Sequence, residues 1–327
     1  MKITILGSGS WGTALGMILS SNGHSVTVWG HNPHSIAELQ RTRRNDRHLP
    51  EIDLPDDWRF TSDLPRALEH AEALLVCVPS RTMRSISERL GSFRGSPIVS
   101  ATKGIEAETG MTMCEVLQVG APHSKNAVLS GPSLAAEVAR GIPTAVVSAS
   151  DDPDTALLVQ SLFHRPTFRV YRSSDRRGVE LGGAIKNVMA IAAGVCDGCG
   201  FGDNSKAALV TRGVAEMRRL GVACGAQPET FAGLGGLGDL TVTCFSRLSR
   251  NRAFGEKLGR GVPIAQALAE SLEVVEGHPT ARSAIDLARK HGVVTPILRE
   301  VYEMLYAGKD VQKAVRDLLT RDLKAED

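Results

Sequence analysis

Short apolar runs alternate with segments of helical or turn-like character over the first half of the chain. The runs are rich in β-branched residues, as in buried strands. They span residues 3–6, 25–29, 74–78, 98–101, 127–129 and 144–149. This alternation is typical of βαβ units, so we predict a mostly parallel sheet, with charged helices over 33–44 and 80–90 and one more helix and strand within 155–170.

The second half has a different pattern. Apolar residues recur at helical spacing, between Gly- and Pro-rich connections and with little strand-like alternation. The predicted helices cover 179–195, 206–220, 266–270, 280–291 and 297–306. We therefore predict two domains, an α/β domain over 1–176 and an all-helical domain over 177–327.

Composition narrows the class of protein. The chain has 327 residues, 42% hydrophobic and 23% charged, with a formal net charge of +2. Such a small charge argues against a dedicated nucleic-acid or membrane-surface protein. No run of 18 consecutive apolar residues occurs, so no membrane span is expected.

The six cysteines are scattered, a usage that favours reduced thiols in a cytoplasm over disulfides. Cys196 and Cys199 form a C-x-x-C pair, but no second pair lies at metal spacing. We expect neither a metal site nor a redox pair there.

The segment Gly7-Ser-Gly-Ser-Trp-Gly12 follows the first apolar run and opens a helical stretch. In this context Gly7 permits a tight turn, Gly9 lets a pyrophosphate approach the backbone, and Gly12 allows close packing of helix and strand. The anion then lies at the helix N-terminus, where free N–H groups favour negative charge. The sequence thus predicts a dinucleotide site in a Rossmann-like, doubly wound sheet; the alternative is a glycine-rich turn without a ligand.

The segment after the second apolar run bears on cofactor choice. An acidic residue that binds a ribose 2′-hydroxyl often follows this strand, but here the chain reads Gly30-His31-Asn32. His31 is a candidate to face a 2′-phosphate. So are Arg41, Arg43 and Arg44, although a solvated helix face is the simpler interpretation of these arginines. Both NAD and NADP remain open.

Lys186 lies in an apolar helical stretch, 184–193, whose other polar member is Asn187. A buried unpaired ammonium is costly, so either Lys186 extends to water or an anionic group meets it. Asp239, among glycines, is a candidate partner, or alternatively a turn or cap residue.

Three further segments carry candidate ligand-binding groups. Ser249-Arg250-Asn251 combines a guanidinium with two neutral hydrogen-bonding groups, which suits a phosphate but also an ordinary polar helix turn. Lys103 and the Gly131-Pro-Ser133 segment follow predicted strands, at the edge where parallel sheets bind ligands. Ser133 alternatively caps the helix that follows.

Taken together, the residues resemble the bacterial-type NAD(P)-dependent sn-glycerol-3-phosphate dehydrogenases. The matching blocks run in order over nearly the whole chain. They are 7–15, 102–105, 130–133, 180–187, 233–243, 249–252 and 274–277. The resemblance implies interconversion of dihydroxyacetone phosphate and sn-glycerol 3-phosphate for phospholipid synthesis.

The resemblance also implies residue roles. Lys186 matches the catalytic lysine, with Lys103 and Asp239 as further catalytic candidates. The positions matching cofactor contacts are Gly7, Gly9, Ser10, Trp11, Gly12, His31, Lys103, Ala135, Arg250, Val274 and Glu276. The positions matching substrate contacts are Lys103, Gly131, Ser133, Lys186, Asp239, Ser249, Arg250 and Asn251.

Two other functions stay open from the sequence: a 3-hydroxyacid-type dehydrogenase of the same plan, and a non-catalytic NAD(P)H-sensing protein. The expected small-molecule partner is a phosphorylated substrate. A homodimer is plausible because helical domains with apolar faces often self-associate.

Overall fold

The N-terminal strands are apolar because helices cover both faces of their sheet. The computed structural model describes residues 1–91, 93–271, 273–322 and 325. Ile3 and Ile5 of the first strand pack into one core cluster, and Leu6 packs into another on the opposite face. Alternate residues of a strand point to opposite faces, so both faces of this sheet are buried.

The strands of this part are numbered in chain order. They are β1 Lys2–Leu6, β2 Ser25–Trp29, β3 Arg44–Asn45, β4 Leu49–Asp53, β5 Arg59–Thr61, β6 Ala73–Val76, β7 Ile98–Ser100, β8 Asn126–Ser130, β9 Thr144–Ala149 and β10 Phe168–Ser173. Eight of them form one sheet in the order β10-β9-β8-β7-β6-β1-β2-β5. The β8–β9 pair is antiparallel and the other pairs of this sheet are parallel. The prediction of a mostly parallel, doubly wound sheet is confirmed.

Seven α-helices connect these strands. They are α1 Ser10–Ser21, α2 Pro33–Thr42, α3 Leu64–Leu68, α4 Met83–Glu88, α5 Met113–Gly120, α6 Ala135–Ala139 and α7 Pro153–Phe163. Several begin with a capping side chain followed by proline. Asn32 accepts a hydrogen bond from Ser35 N (3.1 Å), and Asp152 accepts one from Thr155 N (2.9 Å). Such caps satisfy N–H groups that have no partner within the helix.

Some of the predicted boundaries were wrong. The helix predicted over 33–44 ends at Thr42, because Arg43 adopts a left-handed conformation (φ 53°) and Arg44 begins the β3–β4 hairpin. The predicted helix over 80–90 is a 3₁₀ turn at Ser80–Thr82 followed by α4.

The second half is helical, as predicted. Its helices are α8 Arg176–Gly198, α9 Asp203–Ala223, α10 Asp239–Phe245, α11 Arg250–Gly259, α12 Ile264–Ala269, α13 Gly277–Lys290, α14 Pro296–Tyr306 and α15 Val311–Leu319. A 3₁₀ turn, Pro228–Ala232, and a π-helical turn, Leu234–Gly238, precede α10. The helices α10, α11 and α15 were not predicted, because α10 directly follows a glycine-rich segment, α11 is rich in charged residues and α15 is a short amphipathic helix.

The chain separates into two compact units. One comprises residues 1–103 and 111–180, and the other 104–110 and 181–327. The division therefore falls within α8, after its first turn.

The helix α8 forms the centre of the second unit. It is apolar around its circumference, and residues such as Val188 and Ile191 are fully buried in the core cluster of this unit. Among the described residues it is also the one helix long and apolar enough to cross a membrane, but 94% of its most apolar stretch is buried inside the protein.

Glycines bring α8 and α11 into backbone contact. A Cβ on Gly194 or Gly198 of α8 would collide with the carbonyl oxygens of Arg252 and Glu256, respectively. A Cβ on Gly255 of α11 would likewise collide with Ile191 O. The close approach fixes the position of α11 along α8.

Candidate active site

The glycine turn connects β1 to α1 at the point where the strand order reverses. Gly7 has φ +115°, and a Cβ there would lie 2.7 Å from Cys77 O. Its N–H donates to Trp29 O (2.9 Å). Only glycine adopts this conformation without strain and leaves room for the neighbouring strand.

The other two glycines of the motif differ in what surrounds them. A Cβ on Gly12 would collide with Gly7 O, so this glycine serves helix–strand packing. A Cβ on Gly9 would meet no atom within 4 Å. Gly9 is the N-cap residue of α1, whose first turn contains no acidic residue. The open approach to this helix N-terminus suits the pyrophosphate of a dinucleotide.

A buried asparagine that the sequence did not reveal supports the glycine turn. Asn45 Nδ2, 4% exposed as a residue, donates to Ser8 O (3.0 Å) and to Thr13 Oγ1 (2.8 Å). Thr13 Oγ1 in turn donates to Gly9 O (2.9 Å). A lone asparagine in an arginine-rich segment has no periodic signal, so the sequence could not identify it.

The predicted cofactor residues near this turn lie in the same unit. Ser10 and Trp11 begin α1, and Trp11 Nε1 is a buried donor without a hydrogen-bond partner among the described residues. An unpaired buried donor is uncommon, and a bound ligand is one way to satisfy it. His31 is exposed directly after β2.

The arginines considered for a 2′-phosphate are placed differently. Arg43 donates to Trp58 O (2.9 Å) and lies over the Phe60 ring, and Arg44 pairs with Asp46 (3.0 Å). Arg41 lies in the last turn of α2, where a cation complements the helix dipole. Arg41 therefore lies on the predicted solvated helix face, whereas Arg43 and Arg44 lie outside the helix.

Lys103 and Ser133 converge on one backbone carbonyl. Lys103 Nζ and Ser133 Oγ donate to Gly131 O at 3.2 and 2.9 Å. The alternative in which Ser133 caps the next helix was wrong, since Leu134 occupies the cap position without a side-chain cap. Ala135 is the first residue of α6 and is half-buried against the core.

Lys186 is buried and paired, so the alternative in which it reaches water was wrong. Its Nζ lies 2.8 Å from Asp239 Oδ1, and the two side chains are 8% and 1% exposed. Burial in this apolar setting strengthens the attraction between the two charges, and removal of either would leave the other uncompensated.

Thr243 contacts both residues of this pair, and the sequence assigned it no role in the site. Lys186 Nζ donates to Thr243 Oγ1 (2.7 Å), which donates to Asp239 O (2.6 Å). Asp239 and Thr243 are four residues apart on α10, so they share one helix face. That spacing was the available signal.

The glycine-rich turn before α10 brings Asp239 to α8. A Cβ on Gly182 of α8 would collide with Gly235 O in the π-helical turn. π-helical turns are rare and frequent at functional sites.

Asn251 connects three segments of the helical unit. Its Nδ2 donates to Asn187 Oδ1 (3.0 Å), beside Lys186 in the chain, and its Oδ1 accepts from Gly277 N (2.9 Å). Asn251 and Asn187 are both buried. The amide network therefore holds the start of α11 against α8 and the start of α13.

Ser249 and Arg250 directly precede Asn251 in the chain. Ser249 Oγ accepts from Arg252 N (3.2 Å) and so caps α11. Arg250 has a side chain 47% exposed, and its Nη1 contacts Glu273 Oε2 (2.9 Å) and Val274 O (3.3 Å). Glu276 occupies the cap position of α13 and is half-buried.

All six cysteines are free thiols. Burial raises the pKa of Cys196 to about 11, so this thiol stays protonated near neutral pH. Cys199 Sγ contacts Gln312 Nε2 at 3.5 Å. Within the described part of the chain, no group of three or more His, Cys, Asp or Glu is placed to hold a metal ion.

A doubly wound sheet with a glycine turn at its switch point, followed by a helical unit with a buried lysine–aspartate pair, defines a dinucleotide-dependent oxidoreductase. Comparisons with known proteins agree. Residues 2–156 and 175–316 match the models described as NAD-dependent glycerol-3-phosphate dehydrogenase N-terminus and C-terminus. The chain belongs to the NAD-dependent glycerol-3-phosphate dehydrogenase family, which confirms the resemblance.

Relatives match over nearly their full length. The glycerol-3-phosphate dehydrogenase [NAD(P)+] of Geobacter sp. (strain M21) is 49% identical over 99% of this chain and 98% of its own. That of Halorhodospira halophila is 48% identical with the same coverage. The crystal structure of glycerol-3-phosphate dehydrogenase from Coxiella burnetii, 39% identical, superposes with a TM-score of 0.95 over 98% of this chain and 99% of its own.

Proposed function

We propose that this protein catalyses the NAD(P)-dependent interconversion of dihydroxyacetone phosphate and sn-glycerol 3-phosphate. One observation carries this function beyond nucleotide binding: Lys186 is buried in an apolar helix and paired with Asp239 at 2.8 Å. A purely sensory protein needs no proton donor, whereas a carbonyl reductase does, and the Lys186 ammonium can donate a proton.

The cofactor residues follow from the glycine turn. We assign the pyrophosphate to Gly7, Gly9 and Gly12 at the start of α1, where the open approach to Gly9 accommodates it. The remaining residues proposed to contact the cofactor are Ser10, Trp11, His31, Lys103, Ala135, Arg250, Val274 and Glu276.

The substrate residues carry the charge and hydrogen-bonding capacity that a phosphorylated ketone requires. Arg250, Ser249 and Asn251 are assigned to the phosphate, because α11 presents a guanidinium and its first turn of N–H groups there. Gly131 and Ser133 are assigned to further polar contacts with the substrate.

The chemistry divides between cofactor and protein. In the reducing direction a nicotinamide cofactor held by Gly7, Gly9 and Gly12 would supply the hydride that forms the new C–H bond at the keto carbon. The carbonyl π electrons move to oxygen, and Lys186 donates a proton to that oxygen. The products are sn-glycerol 3-phosphate and oxidised nicotinamide.

The neighbours of Lys186 prepare it for this step. The Asp239 carboxylate stabilises the charged ammonium, and Thr243 fixes its direction by accepting a hydrogen bond. Lys103 is assigned to add positive charge as the alkoxide develops.

The wider setting follows from this activity. Residues 1–176 are proposed as the dinucleotide-binding domain, and residues 177–327 as the substrate and catalytic domain. The product supplies phospholipid synthesis. We further propose a cytoplasmic enzyme, consistent with its six free thiols, that acts as a homodimer.

An absorbance assay tests the function. The purified protein is mixed with NADH or NADPH and dihydroxyacetone phosphate, and loss of reduced nicotinamide is followed. Turnover supports the proposal, and the ratio of the two rates gives the cofactor preference. Turnover with a 3-hydroxy acid and oxidised cofactor, but none with dihydroxyacetone phosphate, would favour the related dehydrogenase. Nicotinamide binding without any turnover would indicate a sensor.

A further inference from the structure

A second charge network, centred on Asp197 and largely shielded from solvent, lies in the helical unit. Asp197 is near the end of α8. Its Oδ1 pairs with Lys206 of α9, and its Oδ2 lies 2.6 Å from Arg252 Nη2 on α11. The side chains of Asp197, Lys206 and Arg252 are 13%, 9% and 11% exposed. The mechanism above uses none of these residues.

Asp197 is aligned with the catalytic lysine along α8. It follows Lys186 by eleven residues, about three helical turns, so both project from nearly the same face. The helix α8 is continuous between them. It therefore carries Lys186 and Asp197 on one rigid element.

One branch of the network reaches the proposed phosphate-binding turn. Arg252 lies in the first turn of α11, directly after Asn251, and its N–H is held by Ser249 Oγ. Arg252 also contacts Glu256 on its own helix (3.3 Å). The Arg252–Asp197 ion pair therefore adds a side-chain contact between α8 and the turn that presents Arg250 and Asn251, beside the glycine contacts and the Asn251 amide network.

The other branch reaches the helix that holds the partner of the lysine. Lys206 Nζ lies 5.3 Å from the centre of the Phe245 ring, at the end of α10. This helix also contains Asp239 and Thr243. Asp197 is therefore linked through Lys206 to α10 and through Arg252 to α11.

Cys244 of α10 lies near both the network and the catalytic pair. Burial raises the pKa of this thiol to about 12, and the charges of Lys186, Lys206 and Asp197 also act on it.

Stability alone is a weak reason for such a network. Buried ion pairs contribute little net free energy, because desolvation offsets their attraction, and apolar substitutes are often equally stable. What the charges supply is placement, since a carboxylate approached by two cations attracts both of them towards one point. From its placement, we infer that Asp197 is a positioning residue that sets the phosphate-binding turn of α11 against the Lys186–Asp239 pair. This inference rests on the proposed function.

The test compares Asp197→Asn with wild type and with Asp317→Asn. The control removes an ion pair with Lys309 in the same unit, through a side chain that is 45% exposed. We expect Asp197→Asn to raise the KM for dihydroxyacetone phosphate and to lower kcat/KM by about 10- to 100-fold, the scale of a small misplacement of reacting groups. The Kd for NADH should change by less than the KM does, because the glycine turn assigned to the pyrophosphate is unaltered and only the contact proposed for Arg250 is disturbed. Asp317→Asn should have the wild-type KM, kcat/KM and Kd for NADH.

A purely structural role gives a different result. It lowers the Tm of Asp197→Asn but leaves the KM of the folded enzyme unchanged, and that outcome would overturn the inference. Asp197→Glu, which restores the carboxylate, should recover part of the loss. If the wild-type protein does not turn over dihydroxyacetone phosphate, the proposed function is wrong. If the wild type is active and Asp197→Asn has the same KM and kcat/KM, only the role inferred for Asp197 is wrong.

A double-mutant cycle guards against misfolding of one variant. Arg252→Gln removes the other half of the ion pair and should also raise the KM. If both residues act through their contact, the double variant should lose less than the product of the two single losses. Strictly multiplicative effects would contradict the inference. Where Asp197→Asn does not fold, an unchanged KM in folded Arg252→Gln would contradict it.

Discussion

Lys186 Nζ lies 2.8 Å from Asp239 Oδ1 in a place where neither side chain is more than 8% exposed. Each charge depends on the other, since an unpaired buried ion costs several kcal/mol. The pair therefore links the stability of the helical unit to the chemistry that we assign to Lys186.

Lys186→Ala should lower kcat by at least about 100-fold, the usual contribution of a general acid. The Kd for NADH should stay near the wild-type value, because the glycine turn is unchanged. Steady-state rates and fluorescence titration with NADH measure the two quantities. The exposed Lys313→Ala is the matched control. Near-normal turnover by folded Lys186→Ala would remove the lysine from its role.

Arg250→Ala should chiefly raise the KM for dihydroxyacetone phosphate, by about 10- to 100-fold, since a hydrogen bond to a charged group contributes about 1.5–3 kcal/mol. The side chain is 47% exposed, so the Tm should change little. Arg260→Ala, at the other end of α11 and 65% exposed, is the control. An unchanged KM for Arg250→Ala would argue against a phosphate contact.

Gly9→Ala and Gly12→Ala should separate ligand binding from folding. A Cβ on Gly9 meets no atom of the protein, so this variant should keep its Tm but bind NADH more weakly. A Cβ on Gly12 would collide with Gly7 O, so that variant should lose stability. Thermal unfolding and NADH titration on both variants test the contrast. Unaltered NADH affinity of Gly9→Ala would place the pyrophosphate elsewhere.

Glu216 should make stability depend on pH. Its carboxylate, 1% exposed, accepts from Ile297 N and Leu298 N at 2.9 and 2.8 Å. Burial raises its pKa from 4.5 to about 7, so the folded state binds a proton more tightly than the unfolded state. The free energy of unfolding should therefore fall as the pH rises from about 4.5 to 7, by up to about 3 kcal/mol from this group.

Unfolding curves at pH 5 and pH 7.5 measure this dependence. Glu216→Gln has no titrating carboxyl group and should show a smaller loss of stability between the two pH values than wild type does. The exposed Glu38→Gln should keep the wild-type dependence. Equal dependence in Glu216→Gln and wild type would show that other groups are responsible.

Glu51→Gly should stabilise the protein by up to about 1 kcal/mol. Glu51 in β4 has φ 69°, a conformation that costs a residue with a Cβ roughly that amount or more. Glu38→Gly, within α2, should instead destabilise by about 1 kcal/mol. Thermal unfolding of the two variants gives the comparison, and a lower Tm for Glu51→Gly would be the contrary result.

The sequence predicted those elements whose signals are local. The glycine motif, the strand before it and the helix after it follow one another within 20 residues, so order alone identified the turn. The helix α8 was predicted because a long, mostly apolar stretch indicates a buried helix. The candidacy of Lys186 followed from the same stretch, since its charge was out of place there.

The pattern of apolar and polar residues could not predict contacts between residues that are far apart in the sequence. The β3–β4 hairpin contains few apolar residues, and Asn45 acquires its role from Ser8 and Thr13, more than 30 residues earlier. Asp197 has an ordinary appearance in the sequence, because its partners Lys206 and Arg252 come from two other helices.

The glycine contacts between α8 and α11 restrict how this enzyme can be altered. The two helices are in backbone contact at Gly194 and Gly255, so there is no side chain at these positions that a substitution could shorten, and a longer one would collide. Directed evolution towards a bulkier substrate must therefore rely on substitutions outside the α8–α11 contact, such as at residues 273–276. The two helices themselves cannot move apart or closer without loss of their backbone packing.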